Sequence, residues 1–164
     1  MSDIYFLPSI QGMFYFVIFI SIICVSLSST GLEIEFYGPC QDQALVSEKI
    51  LEFPEGQSIG QLTVSYLKLR KIPYKGSAQG FNSIFSTPTG LEALEVVSDN
   101  EMFSYGWCYW VNGKLLEVYP NELKAKPADR LQWVYSYAQF KDGKWISQCV
   151  PALQRKPQFL CRRF

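Results

Sequence analysis

Residues 104–140 hold the densest cluster of aromatic side chains and constrain the fold most strongly. They contain three of the four tryptophans and five of the ten tyrosines. Residues 105–111 place apolar side chains at both odd and even positions, and Asn112-Gly113 then supplies the strongest short hairpin signal. A strand that is apolar on both faces lies inside a sheet or beneath another covering. The segment therefore predicts the central strands of a small β-rich domain.

Two strands and one helix are predicted before these aromatic strands. Residues 31–37 alternate between apolar and acidic side chains, as a half-buried strand does, and residues 44–53 follow as a second strand. Ser58 and Gln61 form a capping-box pattern, and the apolar side chains behind them recur at spacings of three and four. This pattern predicts a helix near residues 59–71.

The remaining predictions concern shorter elements. Residues 74–80 are predicted to be a loop and residues 81–86 a short strand, while the pattern of residues 91–97 suits either a strand or one helical turn. After the Asn-Gly turn, residues 114–119 are predicted to return antiparallel to the first aromatic strand. Residues 130–140 alternate again and are predicted to form the last strand.

The charge balance and the lack of histidine exclude several classes of function. Fifteen basic and fifteen acidic residues give a formal net charge of zero, whereas a general nucleic-acid binder needs a basic field. The chain has no histidine, which removes the commonest metal ligand and the commonest general base at neutral pH. A Ser-His-Asp or Cys-His hydrolase is therefore excluded. We predict no catalytic residue, no metal site, no cofactor and no nucleic-acid partner.

The N-terminal part of the chain predicts export. Residues 13–27 are apolar, but the run is shorter than the roughly 20 residues that span a bilayer, and it suits a secretory signal. Asp3 precedes the run and no basic residue does, so Met13 is an alternative start to Met1. We predict that residues 1–28 are a signal peptide and that the mature protein is secreted or periplasmic. An uncleaved membrane anchor, with the domain facing outside the cytoplasm, is the alternative.

Four cysteines follow the apolar run, an even number that predicts two disulfides in an exported domain. Three pairings are available to them. We favour Cys108–Cys149, which joins the aromatic strands to the segment after them, and Cys40–Cys161, which ties the C-terminus to the end of the first strand. A link from Cys40 to Cys108 would contradict this pairing. Residues 151–164 are predicted to be a solvated basic tail that is tied down by its cysteine.

Four short motifs within residues 31–140 carry a family resemblance: FPEGQSIGQL, NSIFSTPTG, WCYWVNG and LQWVYSY. They resemble the transcobalamin-like C-terminal domain family, small bacterial exported domains related to the C-terminal β-domain of transcobalamin and intrinsic factor. The order of two strands, a capped helix and then further strands is that of a β-grasp domain, in line with the resemblance. With the two disulfides, we therefore predict a disulfide-stapled α+β domain of β-grasp type over residues 29–150. Such a domain has a mixed sheet of four to six strands packed on one main helix. The resemblance also implies that a corrinoid such as cobalamin is a candidate ligand.

We predict that the chain is an exported, non-catalytic binding or interaction module whose partner is a protein or a small molecule. Trp and Tyr combine a large contact area with a polar tip and are enriched in binding sites. The candidate binding residues are Trp110, Asn112, Tyr119 and Tyr137. Packing in the core of a small domain is the alternative role of each aromatic side chain among them. Membrane contact is predicted only through the N-terminal segment, if it is not cleaved.

Two alternative functions remain open. The first is a domain that binds or caps a corrinoid, as the family resemblance implies. The second is a small secreted enzyme in which two of Glu92, Glu95 and Glu101 act as an acid and base pair. The scatter of acidic residues along turns and strand faces is typical of a solvated surface instead.

Overall fold

The structure is a computed structural model that describes residues 31–161. The predicted signal segment and its cleavage lie outside the described residues. Nine strands and one α-helix form within the described part of the chain. They are β1 (Leu32–Tyr37), β2 (Ala44–Ile50), α1 (Ile59–Leu69), β3 (Tyr74–Ser77), β4 (Gly80–Ile84), β5 (Leu94–Ser98), β6 (Glu101–Val111), β7 (Lys114–Leu115), β8 (Arg130–Lys141) and β9 (Lys144–Pro151). Two short 3₁₀ helices span Gly90–Ala93 and Ala152–Gln154.

The main sheet has seven strands in the order β2-β1-β8-β6-β5, with β7 added to β6 and β9 added to β8. β1 and β8 are parallel, and the other pairs of this sheet are antiparallel. One edge of β8 is shared, because β1 pairs with residues 130–134 and β9 with residues 136–141. The predicted α+β class is confirmed. The sheet is larger than the four to six strands predicted, since β7 and β9 join it.

Helix α1 packs on one face of this sheet, which we call the inner face. The Trp133 indole Nε1 donates a hydrogen bond to Thr63 Oγ1 of α1 at 3.0 Å, and the Phe36 ring stacks on Tyr66 with 5.8 Å between centroids. The odd-numbered side chains of β6 point to this face and are buried from Phe103 to Val111. The aromatic strands therefore form the core, as the sequence predicts.

The long partner of β6 is β8, and the predicted return strand over residues 114–119 is wrong beyond its first two residues. β6 pairs with β8 along its whole length, whereas β7 pairs with β6 only at Lys114 and Leu115. The Tyr109 hydroxyl donates to the Val118 carbonyl oxygen at 2.7 Å. The bond ties the segment after β7 to β6. This segment is not part of the sheet.

The capping box at the start of α1 is confirmed. Ser58 Oγ accepts from the Gln61 backbone N–H at 3.2 Å, and the Ser58 N–H donates to Gln61 Oε1 at 3.1 Å. A Cβ atom at Gly60 would overlap the Ala78 carbonyl oxygen, so the glycine lets the chain between β3 and β4 approach the helix closely. The loop predicted over residues 74–80 is wrong at β3, whose polar and largely exposed sequence hid a strand.

Residues 91–97 contain both of the structures that their pattern allowed. The 3₁₀ helix Gly90–Ala93 leads directly into β5, which pairs antiparallel with the start of β6. The short strand predicted over residues 81–86 is confirmed as β4, which ends two residues earlier than predicted.

Both predicted disulfide pairings are confirmed. Cys40 bonds to Cys161 across 121 residues of sequence, and Cys108 bonds to Cys149 across 41 residues. Two disulfides are typical of an oxidising environment outside the cytoplasm. No helix among residues 31–161 has the length and apolarity that crossing a bilayer requires.

The segment after β9 packs on the sheet, so the prediction of a solvated tail is wrong up to Cys161. Pro157 is fully buried, and the Phe159 ring meets Tyr105 edge-on at 5.5 Å. The Arg155 guanidinium lies 3.8 Å from the centre of the Phe103 ring. Its charge is paired with Glu95 at 3.5 Å. Apolar side chains interleaved with the basic ones therefore hold this segment in place.

Buried tyrosines make the stability of this fold sensitive to alkali. Burial raises the pKa of Tyr135 above its ordinary value, and burial followed by the Glu95 carboxylate raises the pKa of Tyr105. The folded state therefore holds these protons more tightly than the unfolded chain. Their contribution to stability is fully present below about pH 10 and is lost as the pH rises beyond it. We expect the free energy of unfolding, measured with urea, to fall above about pH 10.

Tyr135→Phe is the matched control for this prediction. The Tyr135 hydroxyl has no hydrogen-bond partner among residues 31–161, so its removal breaks no bond within the described part of the chain. The variant should be at least as stable as the wild type at neutral pH and should lose less stability in alkali. A loss of stability in alkali that is as large in Tyr135→Phe as in the wild type would contradict this account of Tyr135.

Candidate functional site

The face of the main sheet opposite α1, which we call the outer face, carries the candidate site. The even-numbered side chains of β6 and β8 point to it, together with Glu35 and Tyr37 of β1. α1, the single α-helix of the described residues, lies on the inner face. The even-numbered side chains of β6 are only partly buried, so this face is accessible at several positions.

The structure separates the four predicted binding residues. Trp110 lies half-buried on the outer face between Gln132 and Leu115 of the neighbouring strands. Tyr137 points to the inner face, where its ring packs edge-on against Phe103 at 5.5 Å. Because these two side chains lie on opposite faces, they do not contribute to one site.

The other two predicted residues lie in loops. Asn112 has a left-handed backbone (φ 53°) in the turn between β6 and β7. Its side-chain Nδ2 donates to Asp129 Oδ1, and its side-chain Oδ1 accepts from the Arg130 backbone N–H, both at 2.9 Å. This residue therefore holds the turn to the start of β8. Tyr119 is 64% exposed and lies in the connection after β7, so it is not on a return strand as predicted.

An ion pair between the buried Glu35 and the half-exposed Arg130 occupies the outer face near this turn. The Glu35 side chain is almost fully buried and accepts two hydrogen bonds from the Arg130 guanidinium, at 2.8 and 3.0 Å. The Tyr37 hydroxyl donates to the same carboxylate at 3.1 Å. The hydrogen bond to Glu35 raises the pKa of Arg130. The Glu35 carboxylate is thus fully engaged by its neighbours, as a structural ion pair is.

Further along the outer face, the Cys108–Cys149 disulfide draws β9 over the sheet. β6 and β9 lie on either side of β8. In a regular sheet, neighbouring residues of two such strands are about 9.6 Å apart. The Cα atoms of Cys108 and Cys149 are only 5.8 Å apart. β9 reaches this position through register shifts against β8 and a left-handed backbone at Cys149 (φ 53°). The chain around Cys149 therefore stands above the outer face instead of continuing the plane of the sheet.

This arrangement borders an open pocket of about 260 Å³, which we call the outer-face pocket. Small side chains form its floor, and the disulfide and Trp145 form its walls. Trp145 is 50% exposed, and its ring is fixed edge-on against Phe140 at 5.4 Å. The lining residues are Ser104, Tyr105, Gly106, Trp107, Cys108, Ser136, Tyr137, Ala138, Trp145, Gln148 and Cys149, of which Tyr105, Trp107 and Tyr137 point their side chains to the inner face. None of these side chains, all within the described residues, carries a charge.

Gly106 is one of the residues that form the pocket floor. A Cβ atom at this position would have no atom within 4 Å apart from its chain neighbours, and no left-handed backbone requires a glycine here. Its partner across the strands is Ser136, another small residue, which is 1% exposed. Glycine inside a strand weakens the strand and often marks the close approach of a ligand or another backbone.

Sequence reasoning missed this pocket because it followed the large aromatic side chains. The signal was the opposite pattern, a run of small residues at alternate positions of the two central strands. Ser104, Gly106 and Cys108 share one face of β6, and Ser136 and Ala138 share the same face of β8. Trp145 lies beyond the predicted last strand, and only the pairing of β9 with β8 brings it to this face.

A larger cleft and two ion pairs of candidate catalytic carboxylates lie outside this pocket. A cleft of about 720 Å³ lies between α1 and β3, and its lining includes polar side chains such as Gln61, Lys68 and Ser77. Glu95 and Glu101, two of the candidate catalytic carboxylates, bind structural partners: Glu95 pairs with Arg155 and Glu101 with Lys141. No group of three or more metal-ligand side chains that could hold an ion occurs among residues 31–161.

Comparison of the chain with known protein families, with curated proteins and with solved structures gave no match. The resemblance to the transcobalamin-like C-terminal domain family therefore stays a prediction.

Proposed function

We propose that the chain is an exported, non-catalytic binding module of β-grasp type and that it binds its ligand in the outer-face pocket. The two disulfides support export, because they persist in oxidising compartments. A β1–β2 hairpin, one helix on one face and a parallel β1–β8 pair support the β-grasp assignment. The pocket is lined by hydroxyl, amide, aromatic and disulfide groups, whose chemistry suits binding better than proton transfer.

One observation carries this proposal: the open space above Gly106. Glycine inside a strand costs roughly 0.5–1 kcal/mol relative to alanine. Neither backbone conformation nor a close neighbour requires the residue here. Room for a ligand between Trp145 and the disulfide, which a side chain at this position would fill, explains why a glycine is present despite this cost.

A fragment screen by nuclear magnetic resonance tests the location of the site and does not require the identity of the natural ligand. The mature chain, with both disulfides intact, is titrated with a library of small neutral ring compounds. We expect the bound fragments to shift the Trp145 indole N–H and the Gly106 amide. The indole N–H of Trp133 donates to Thr63 in the core, and its signal reports whether the fold is intact. Fragments that shift the cleft beside Lys68, and not Trp145, would contradict the proposal.

Gly106→Val separates binding from folding. Valine suits a strand, and its side chain would enter the pocket, where no neighbour lies within 4 Å of the Cβ position. We expect the variant to be more stable than the wild type by about 0.5–1 kcal/mol in urea unfolding. We also expect it to lose the fragment response at Trp145. A variant that is more stable and still binds the fragments would show that the pocket is not the site.

A further inference from the structure

We propose that the outer-face pocket binds a neutral sugar ring, with one face of the pyranose stacked on Trp145. This inference rests on the proposed function and names the chemical class of its ligand. A pyranose has an apolar C–H face and a rim of hydroxyl groups, so its site needs a flat apolar platform beside uncharged hydrogen-bonding groups. The outer-face pocket combines these features in one place.

Trp145 supplies the platform. Half of its surface is exposed, and the edge-on contact with Phe140, at 71° between the ring planes, fixes the orientation of the indole. A ring that is already held in place loses little conformational entropy when a ligand stacks on it. The exposed indole face therefore serves better as a binding surface than a mobile side chain would.

The pocket lining supplies polar groups that carry no charge. Ser104 contributes a hydroxyl group and Gln148 an amide, both of which donate and accept hydrogen bonds. No lining side chain is charged, so the site offers no ion pair to a charged ligand and no charge that a neutral ligand would have to cover. Hydroxyl and amide partners suit the alternating donors and acceptors of a sugar.

The size of the pocket indicates a single ring. Sites for drug-sized ligands run from about 300 to 1,000 Å³, and the outer-face pocket is slightly smaller than this range at about 260 Å³. Gly106 and Ala138 add little side-chain volume to the floor, and the Cys108–Cys149 disulfide is part of the lining. One pyranose therefore fits, and longer chains would extend along the open outer face.

The test titrates the mature chain with methyl glycosides of glucose, galactose, mannose and N-acetylglucosamine. The indole N–H signals of all four tryptophans are followed by nuclear magnetic resonance. We expect at least one glycoside to shift the Trp145 signal saturably, with a Kd in the millimolar range that is typical of a single small ring. Trp145→Ala and Gly106→Val should each weaken this binding by about tenfold or more, and Ser104→Ala by roughly fivefold. The indole signal of Trp133, which donates to Thr63 in the core, should stay unshifted in every variant.

Four outcomes would overturn the inference. If ring fragments bind at Trp145 and no glycoside does, the carbohydrate class is wrong while the proposed site stands. A Trp145 response confined to N-acetyltryptophanamide would likewise overturn it and would indicate an aromatic side chain of a protein partner. If neither fragments nor glycosides act at Trp145, the proposed function fails as well. A glycoside shift that survives in Gly106→Val would place the sugar elsewhere and also contradict the inference.

Discussion

Replacing Cys40 and Cys161 together by serine is expected to destabilise the domain by about 5 kcal/mol, because the bond closes a very long loop. The two residues are 121 positions apart, and cross-linking distant positions removes the most conformational freedom from the unfolded chain. The bond also holds the C-terminal segment against β1. A loss of this size lowers the midpoint of thermal unfolding by roughly 15–20 °C for a domain of this length. Calorimetry of the paired variant measures it.

The Cys108→Ser and Cys149→Ser pair is the matched control. Its loop spans 41 residues, and the same loop-closure relation gives a loss of about 4 kcal/mol. The two effects should therefore rank in the order of loop length. A paired Cys40 and Cys161 variant that unfolds within a few degrees of the wild type would show that this disulfide does not constrain the fold.

Trp133→Ala is expected to cost about 3–5 kcal/mol, as large-to-small substitutions of buried aromatic residues do. Trp133 is 1% exposed, and its ring meets Phe81 edge-on at 4.9 Å. Its indole N–H also binds Thr63 of α1. The substitution therefore leaves a cavity between the sheet and the helix and removes a bond that joins them. Urea unfolding, with a second probe to check two-state behaviour, measures the change.

Trp145→Ala is the control for this prediction, because it removes the same side chain from an exposed position. Trp145 is half-exposed and packs mainly on Phe140, so its loss is expected to cost at most about 1 kcal/mol. Similar losses from the two tryptophans would contradict the assignment of Trp133 to the core and Trp145 to the outer-face pocket.

Local sequence patterns predicted the elements well where a single segment determines the structure. The capping box at Ser58 fixed the start of α1, and the alternation in residues 31–37 and 130–140 marked β1 and β8. The cysteine count predicted two disulfides, although it left three pairings open. Each of these signals lies within a few residues or depends on a count, so it is readable without knowing which segments meet.

The errors at the return strand and at the candidate site concern choices between partners that are distant in sequence, whereas β3 was missed locally because its sequence is polar. Asn112-Gly113 does make a hairpin turn, but β8 is the longer partner of β6, and it lies almost twenty residues further along the chain. The outer-face pocket depends on the same long-range choice. Its floor comes from β6 and β8, its Trp145 wall comes from β9, and the disulfide lifts Cys149 above the sheet. No short window contains these three parts together.

The Gly106 series tests the assignment of the outer-face pocket most directly. Gly106→Ala and Gly106→Val add one and three carbon atoms above the pocket floor, and the Trp145 indole response and the free energy of unfolding are measured on the same samples. We expect binding to weaken in the order Gly, Ala, Val while stability rises by up to about 1 kcal/mol. A Trp145 response that stays the same across the three proteins would contradict the pocket as the binding site.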